Sequence, residues 1–261
     1  MGASQTHRYL GCNCPHNVAA IFFSDAHPHP MCGRYTGTID PAELAALIPL
    51  DACTFDFQPR YNIAPTQIAP VIARQGGRSI LKGMRWGLIP SWADDEKIGH
   101  KLINARVETA EQKPVFRAAW NSRRCLIPAD GFYEWQRREG GKQPWHFHLK
   151  DRSQFCFAGL WETWVRPPSA QGDFFENELS DPTPLETFTI LTTAPNNVMA
   201  RFHDRMPLMF SKNAAPQWLD MESPAIPSEI GADEIGFAPA NPCVNSPAFD
   251  KAECLVAPAN D

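Results

Sequence analysis

From about Met31 onward, apolar positions come in short bursts with a period near two, punctuated by glycine and proline. That period puts alternate side chains on one face of a strand. Residues 67–73 and 79–82 flank Gly76-Gly77, which predicts a β-hairpin. Met84–Ile89, Leu102–Val107, Arg124–Ile127 and Gly131–Gln136 read as further short strands. A second hairpin turns at Gly140-Gly141 and returns Trp145–Leu149, and Phe155–Trp164 and Thr187–Thr193 are the strongest strands. Helical signals are few. Asp40-Pro41-Ala42-Glu43 combines an N-cap, a first-turn proline and a capping-box acid, opening a helix through Ile48. Pro114–Asn121 and Ala214–Leu219 predict two more short helices. Strands outnumber helices, so the fold expected is α+β and β-dominated: one domain over residues 31–222, with an irregular β-barrel or sheet core and peripheral short helices. Residues 166–186, rich in proline and acid, read as a mobile surface insertion, and residues 223–261 as an irregular tail.

Composition supports a buried core. Of 261 residues, 43% are hydrophobic and 20% charged, which excludes a disordered chain or a small disulfide scaffold. No apolar run approaches the ~20 residues of a membrane-spanning helix, so no membrane role is expected. Eight cysteines form no CxxC pair and no zinc-ligand spacing, and no secretory signal is visible, so reduced thiols and a cytoplasmic location are expected. The net charge of −5 hides an asymmetry: residues 31–150 hold 17 Lys+Arg against 12 Asp+Glu, residues 151–261 hold 6 against 16. The basic half permits a phosphate-binding face.

Residues 1–30 lack either period. Cys12-x-Cys14-x-His16 and His27-Pro28-His29 have the composition of a metal tract, but the segment reads as an N-terminal extension, disordered or lying upstream of a true start at Met31.

Four polar residues sit beside glycine, proline or aromatic neighbours in ways that core patterning does not demand: Cys32 in Met-Cys-Gly-Arg-Tyr, Asn104 in Asn-Ala-Arg-Val-Glu-Thr, Glu134 in Gly-Phe-Tyr-Glu-Trp and His203 in His-Asp-Arg-Met-Pro. With Tyr61-Asn62-Ile63-Ala64-Pro65 and Arg85-Trp86-Gly87-Leu88-Ile89-Pro90, this ordered set resembles the SRAP (SOS response-associated peptidase) family of abasic-site processing proteins. The resemblance spans about Met31 to Leu219. It implies a β-rich single domain, a positively charged groove for single-stranded DNA, and covalent capture of abasic sites through a cysteine left first in the chain when Met31 is removed.

The chemistry of that capture has its own logic. An N-terminal cysteine is a 1,2-aminothiol. Its α-amine, with an ordinary pKa of about 7.7–8, can form an imine with the aldehyde of a ring-opened abasic sugar. Its thiol, ordinarily near ~8.5, then adds to the same carbon and closes a thiazolidine. The second step is intramolecular and therefore fast. An internal cysteine has only an amide nitrogen and cannot do this.

By the resemblance, Glu134 is the general acid/base, His203 the acid/base that opens the sugar ring, and Asn104 the residue that positions the Cys32 amine or the sugar oxygen. Arg34, Arg106 and Arg205 are expected as phosphate clamps, with Lys113 and Arg117 as weaker candidates. Trp86 is expected to stack on a base or to pack in the core, Trp92, Trp120 and Trp161 to be core, and Asn62 and Pro65 to shape the groove wall. No metal site and no cofactor are expected: His146 and His148 share a strand face without a third ligand. The tail motif Ala240-Asn241-Pro242-Cys243-Val244 is assigned no DNA contact. The expected partner is single-stranded DNA containing abasic sites, bound by a monomer that joins the nucleoid when on DNA. Self-processing after Met31 and β-elimination from the imine are possible accompanying activities. Two other readings stay open: a cysteine peptidase using Cys32 and His203, and a non-covalent DNA-binding module.

Overall fold

The computed structural model describes residues 32–39, 44, 48–167, 183–220 and 225–257. The expected extension 1–30, most of the expected helix after Asp40 and residues 168–182 of the expected insertion lie outside the described residues. Leu44 and Ile48 are described; both are buried, and the Ile48 N–H donates to the Leu44 carbonyl at 3.1 Å.

Five strands close on themselves. β4 (Ile68–Gln75) pairs antiparallel with β5 (Arg78–Trp86) and with β7 (Arg124–Ala129). In turn β7 pairs with β10 (Phe155–Trp164), and β10 with β11 (Leu185–Thr193), both antiparallel. A parallel pairing of β11 with β5, Thr187 opposite Arg85 and Phe188 opposite Trp86, completes the ring. Short strands extend it: β2 (Ala52–Cys53) beside β5, β6 (Asn104–Arg106) parallel to β11, β12 (Met206–Pro207) on β11 and β13 (Met209–Phe210) on β10. The expected irregular barrel is therefore present.

The period-two pattern sorts side chains between two cores. Val71, Met84, Trp86, Ile127, Phe155, Phe157, Phe188 and Ile190 join one cluster. Their alternates Ile72, Leu81, Leu126, Cys156, Ala158 and Leu191 face another, which also holds Phe116 and Trp120 of α2 (Pro114–Ser122) and Trp218 of α3 (Ala215–Trp218). The helices thus cover the barrel's outer face. A second sheet, in the order β14 (Ile235–Pro239), β9 (Gly141–Leu149), β8 (Gly131–Arg138), β1 (Tyr35–Gly37), β3 (Arg60–Ile63), sends Tyr35, Ile63, Phe132 and Phe147 into the first cluster.

Several boundaries differ from expectation. The two strands expected over 79–82 and Met84–Ile89 are one strand, β5, which stops at Gly87. Gly87 has φ +119, and a Cβ there would lie 2.7 Å from the Gly99 carbonyl oxygen, so only glycine fits this turn. Leu102–Val107 divides into β6 and a one-turn helix, α1 (Val107–Ala110). Leu185 and Glu186, expected in the insertion, begin β11. The tail is not irregular throughout: it supplies β14 and 3-10 turns at Ala232–Glu234, Pro242–Asn245 and Ala252–Leu255. Val244 and Cys254 bury with Tyr133 and Ala240. Trp120 and Trp161 are buried as expected, whereas Trp92 is 61% exposed.

Candidate active site

The register of two antiparallel strands builds the centre of the site. β1 pairs with β8 so that Tyr35 lies opposite Phe132, and the Tyr133 N–H donates to the Arg34 carbonyl at 3.0 Å. Continuing that register sets Gly33 opposite Glu134, with Cys32 the next residue along. The Cys32 nitrogen donates to Glu134 Oε1 at 2.7 Å, and both residues are buried. Cys32 stands at φ 46, a left-handed conformation that costs a residue with a Cβ roughly 1–3 kcal/mol and persists where its surroundings impose it.

Burial dominates the electrostatics. It raises the Glu134 carboxyl to about 7, against the pull of hydrogen bonds from the Cys32 and Trp135 N–H groups, and the nearby Asp204 charge adds to the rise. Burial, and then the Glu134 charge, push the Cys32 thiol well up. Near neutral pH the centre therefore holds a protonated thiol beside a carboxyl group able to both give and take a proton.

A cleft of about 900 Å³ opens in front of this pair, lined by Gly33, Arg34, Pro65, Ile103, Glu134, Trp135, Gln136, Arg137, Lys142, Arg201, Phe202, His203 and Asn245. His203 reaches it from the loop before β12. Its Nδ1 accepts from the Arg205 N–H at 3.2 Å and lies 2.8 Å from Asp204 Oδ1. Asn104 starts β6, opposite Ile190 of β11, next to the cleft residue Ile103. Glu134 and His203 thus share one cleft, and the buried Cys32, bonded to Glu134, directly precedes the lining residue Gly33. Another hollow of about 640 Å³, between residues 149–154 and 211–213, contains none of these residues.

The phosphate candidates separate. Arg34 lines the cleft and donates to the Val244 carbonyl at 2.7 Å. Arg205 is not a free clamp: its guanidinium forks onto Glu108 with two 2.7 Å bonds and donates to the Thr192 carbonyl at 2.6 Å. Arg106, Lys113 and Arg117 are exposed but do not line the cleft. Trp86 is excluded from base stacking because it is fully buried, stacked on Phe188 at 6.2 Å, with its Nε1 donating to the Ile103 carbonyl at 2.9 Å. Pro65 lines the cleft as expected for a wall residue. Asn62 shapes the wall indirectly: it is buried, and its amide donates to the carbonyls of Val244, Ser246 and Phe249 at 3.2, 2.9 and 2.8 Å.

Sequence reasoning missed Trp135, Arg137, Lys142, Arg201 and Asn245. Arg137 and Lys142 are cross-strand partners on the β8–β9 hairpin, so basic residues flanking Gly140-Gly141 were an available signal. Asn245 gave none: it enters because the tail folds back, where its Oδ1 accepts from Trp135 Nε1 at 2.7 Å. Among the described residues no cluster of three or more His, Cys, Asp or Glu is arranged to hold a metal. His146 instead meets Thr36 Oγ1 at 3.2 Å, and burial, then His148, pull it down to about 3.

Comparison with known proteins adds to this geometry. The family model described as SOS response associated peptidase (SRAP) matches residues 31–246. The chain is 40% identical over 240 residues to the abasic site processing protein YoaM of Bacillus subtilis, covering 86% of this chain and 97% of that one. It is 32% identical over 217 residues to YedK of Escherichia coli, named in the same way, covering 81% and 89% respectively. A solved structure of a Bacteroides thetaiotaomicron protein superposes with a TM-score of 0.73 at 20% identity, covering 87% of this chain and all of that one, a likeness of fold.

Proposed function

Since the chain belongs to the SOS response associated peptidase family, we propose that it processes abasic sites in single-stranded DNA by forming a covalent thiazolidine at Cys32, once Cys32 is the first residue of the working chain. The observation that carries this reading is the 2.7 Å hydrogen bond between the Cys32 nitrogen and the buried Glu134 carboxyl. In a chain that begins at Cys32 that nitrogen is an α-amine, and the left-handed torsion that strains Cys32 behind a preceding residue ceases to exist.

The reaction then runs as follows. His203, reaching the cleft across from Glu134, exchanges the proton that opens the sugar ring to its aldehyde. The amine adds to the aldehyde carbon, Glu134 moves a proton onto the resulting hydroxyl, and water leaves to give the imine. The thiol proton passes to Glu134, sulfur bonds to the imine carbon and nitrogen takes a proton, closing the ring. Aminothiol plus aldehyde becomes thiazolidine plus water. A carboxyl raised to about 7 suits both halves of this sequence, because its two protonation states are comparably populated near neutral pH. The phosphates flanking the sugar meet Arg34, Arg137, Lys142 and Arg201, Trp135 offers a face for an unstacked base, and Arg106, Lys113 and Arg117 extend the basic surface beyond the cleft.

A cysteine peptidase would need its thiol poised as thiolate, and here burial and Glu134 both act in the opposite sense. Release of the residues before Cys32 and strand cleavage by β-elimination from the imine are compatible with the same centre. The test mixes a chain beginning at Cys32 with an oligonucleotide bearing one abasic site. A heat-stable slower band on a denaturing gel is expected, absent with Cys32→Ser and absent when preceding residues remain attached. Adduct formed while the Cys32 nitrogen is still acylated overturns the mechanism.

A further inference from the structure

We infer that Cys243 and Cys254 form a peroxide-sensitive dithiol, an oxidative modification site that fastens one wall of the cleft. The two residues sit on successive 3-10 turns of the tail, Pro242–Asn245 and Ala252–Leu255. The Asn241 N–H donates to the Cys254 carbonyl at 3.2 Å, and the Asn241 side chain caps the first turn by accepting from the Cys243 N–H at 3.0 Å. One residue thus holds both turns, and the sulfurs stand side by side: the Cys243 thiol donates to the Cys254 sulfur at 3.9 Å. Both cysteines are free thiols, Cys254 buried and Cys243 half-buried. The capture chemistry uses neither.

Hydrogen peroxide, small enough to reach a half-buried thiol, is the oxidant. Cys243, the more accessible of the two, loses its proton and its sulfur attacks one peroxide oxygen. The O–O bond breaks, the hydroxide that leaves takes up that proton as water, and Cys243 becomes a sulfenic acid. Cys254 then gives up its proton, and its sulfur attacks the Cys243 sulfur. The S–O bond breaks, and the second hydroxide leaves as water. Two thiols and one peroxide become one disulfide and two waters. Burial raises the Cys254 thiol to about 11, which suits it to this resolving step rather than to the first attack. The sulfurs must close by about 2 Å to reach the ~2.05 Å of a disulfide, which draws the two turns together.

The new bond falls beside the cleft. Val244, directly after Cys243, accepts from Arg34 Nη1 at 2.7 Å, and Asn245 accepts from Trp135 Nε1 at 2.7 Å. Arg34, Trp135 and Asn245 all line the cleft. Closing residues 243–254 into a loop removes freedom that the tail gains when it opens, so oxidation keeps this wall seated.

The effect on DNA rests on the proposed use of the cleft, and the disulfide itself does not. The test treats the full chain with hydrogen peroxide, alkylates the thiols that remain and maps the peptides by mass spectrometry. A Cys243–Cys254 disulfide is expected, lighter by two hydrogens than the paired thiols and undone by a dithiol reductant. Hydrogen exchange over residues 242–250 is expected to slow on the order of tenfold in the oxidised chain. Cys243→Ser should remove that response to peroxide, and Cys254→Ala serves should Cys243→Ser disturb its turn. Oxidation is also expected to restore most of the affinity for undamaged single-stranded oligonucleotide that Asn62→Ala loses. Sulfinic or sulfonic acid at Cys243 without a cross-link overturns the proposal. So does survival of both thiols at a peroxide dose that oxidises the exposed Cys53, which would make the pair packing alone. Tail exchange that is equally fast with the disulfide formed overturns the fastening. If the unaltered chain binds no single-stranded DNA, the cleft reading fails, while the peptide map and the exchange still decide the dithiol.

Discussion

Glu134 is kept where it costs stability. Its carboxyl titrates near 7 in the folded chain against an ordinary 4.5, so the folded state holds the proton more tightly than the unfolded one. The sign follows: this group's contribution is most favourable below about pH 4.5 and is lost as pH rises through 7. Glutamine keeps an oxygen to accept from the Cys32 nitrogen but cannot ionise. Glu134→Gln is therefore expected to be more stable than the parent above pH 7, by on the order of 3 kcal/mol, with the gap closing toward pH 4.5. Denaturant unfolding across that range checks it. The same substitution should abolish the inflection near 7 in the pH dependence of capture rate, measured in single-turnover gels.

Among the elements, the segment that follows β14 is tied to β3 by polar side chains. Asn62 on β3 gives its amide to three tail carbonyls, and Asp250 accepts from the Tyr61 and Asn62 N–H groups at 2.6 and 2.8 Å and pairs with Arg60. Asn62→Ala strips a buried amide that donates to three tail carbonyls and is expected to cost about 1–3 kcal/mol. Hydrogen exchange should quicken over residues 242–250, and capture should weaken because Arg34 and Trp135 lose the wall they bond to. A fall in global stability with unchanged exchange in the tail would speak against this account. Gly87→Ala should be more damaging locally, since it forces a Cβ against the Gly99 carbonyl; thermal melts would register it as a lower Tm. The strands on either side of these joints were legible beforehand, because a period of two and the Gly-Gly turns are local properties. The end of β5 and the helical turn after Arg106 were not, because an apolar run carries no mark of where a neighbouring backbone will crowd it.

For the molecule as a whole, the placement of charge decides where a polyanion can bind. A chain of net charge −5 binds a polyanion only if its basic groups converge, and Arg34, Arg137, Lys142 and Arg201 do so around one cleft. Affinity for single-stranded DNA is expected to fall with salt, and Arg137→Ala and Lys142→Ala should each flatten the log–log slope by about 0.7. Fluorescence anisotropy over a salt series measures it, and a slope unmoved by both changes would place the strand elsewhere.

The sequence by itself determined the β-dominated class, the two glycine hairpins and the family motifs, and marked Cys32, Glu134 and His203 as candidates, because each is written in spacing or in residue type. Only the tertiary structure decided that Trp86 packs on Phe188 rather than on a base, that Arg205 is engaged by Glu108, and that Asn245 stands in the cleft. Those outcomes depend on which distant segments close a barrel and which long side chains meet, and partners brought together by closure leave no period in the chain.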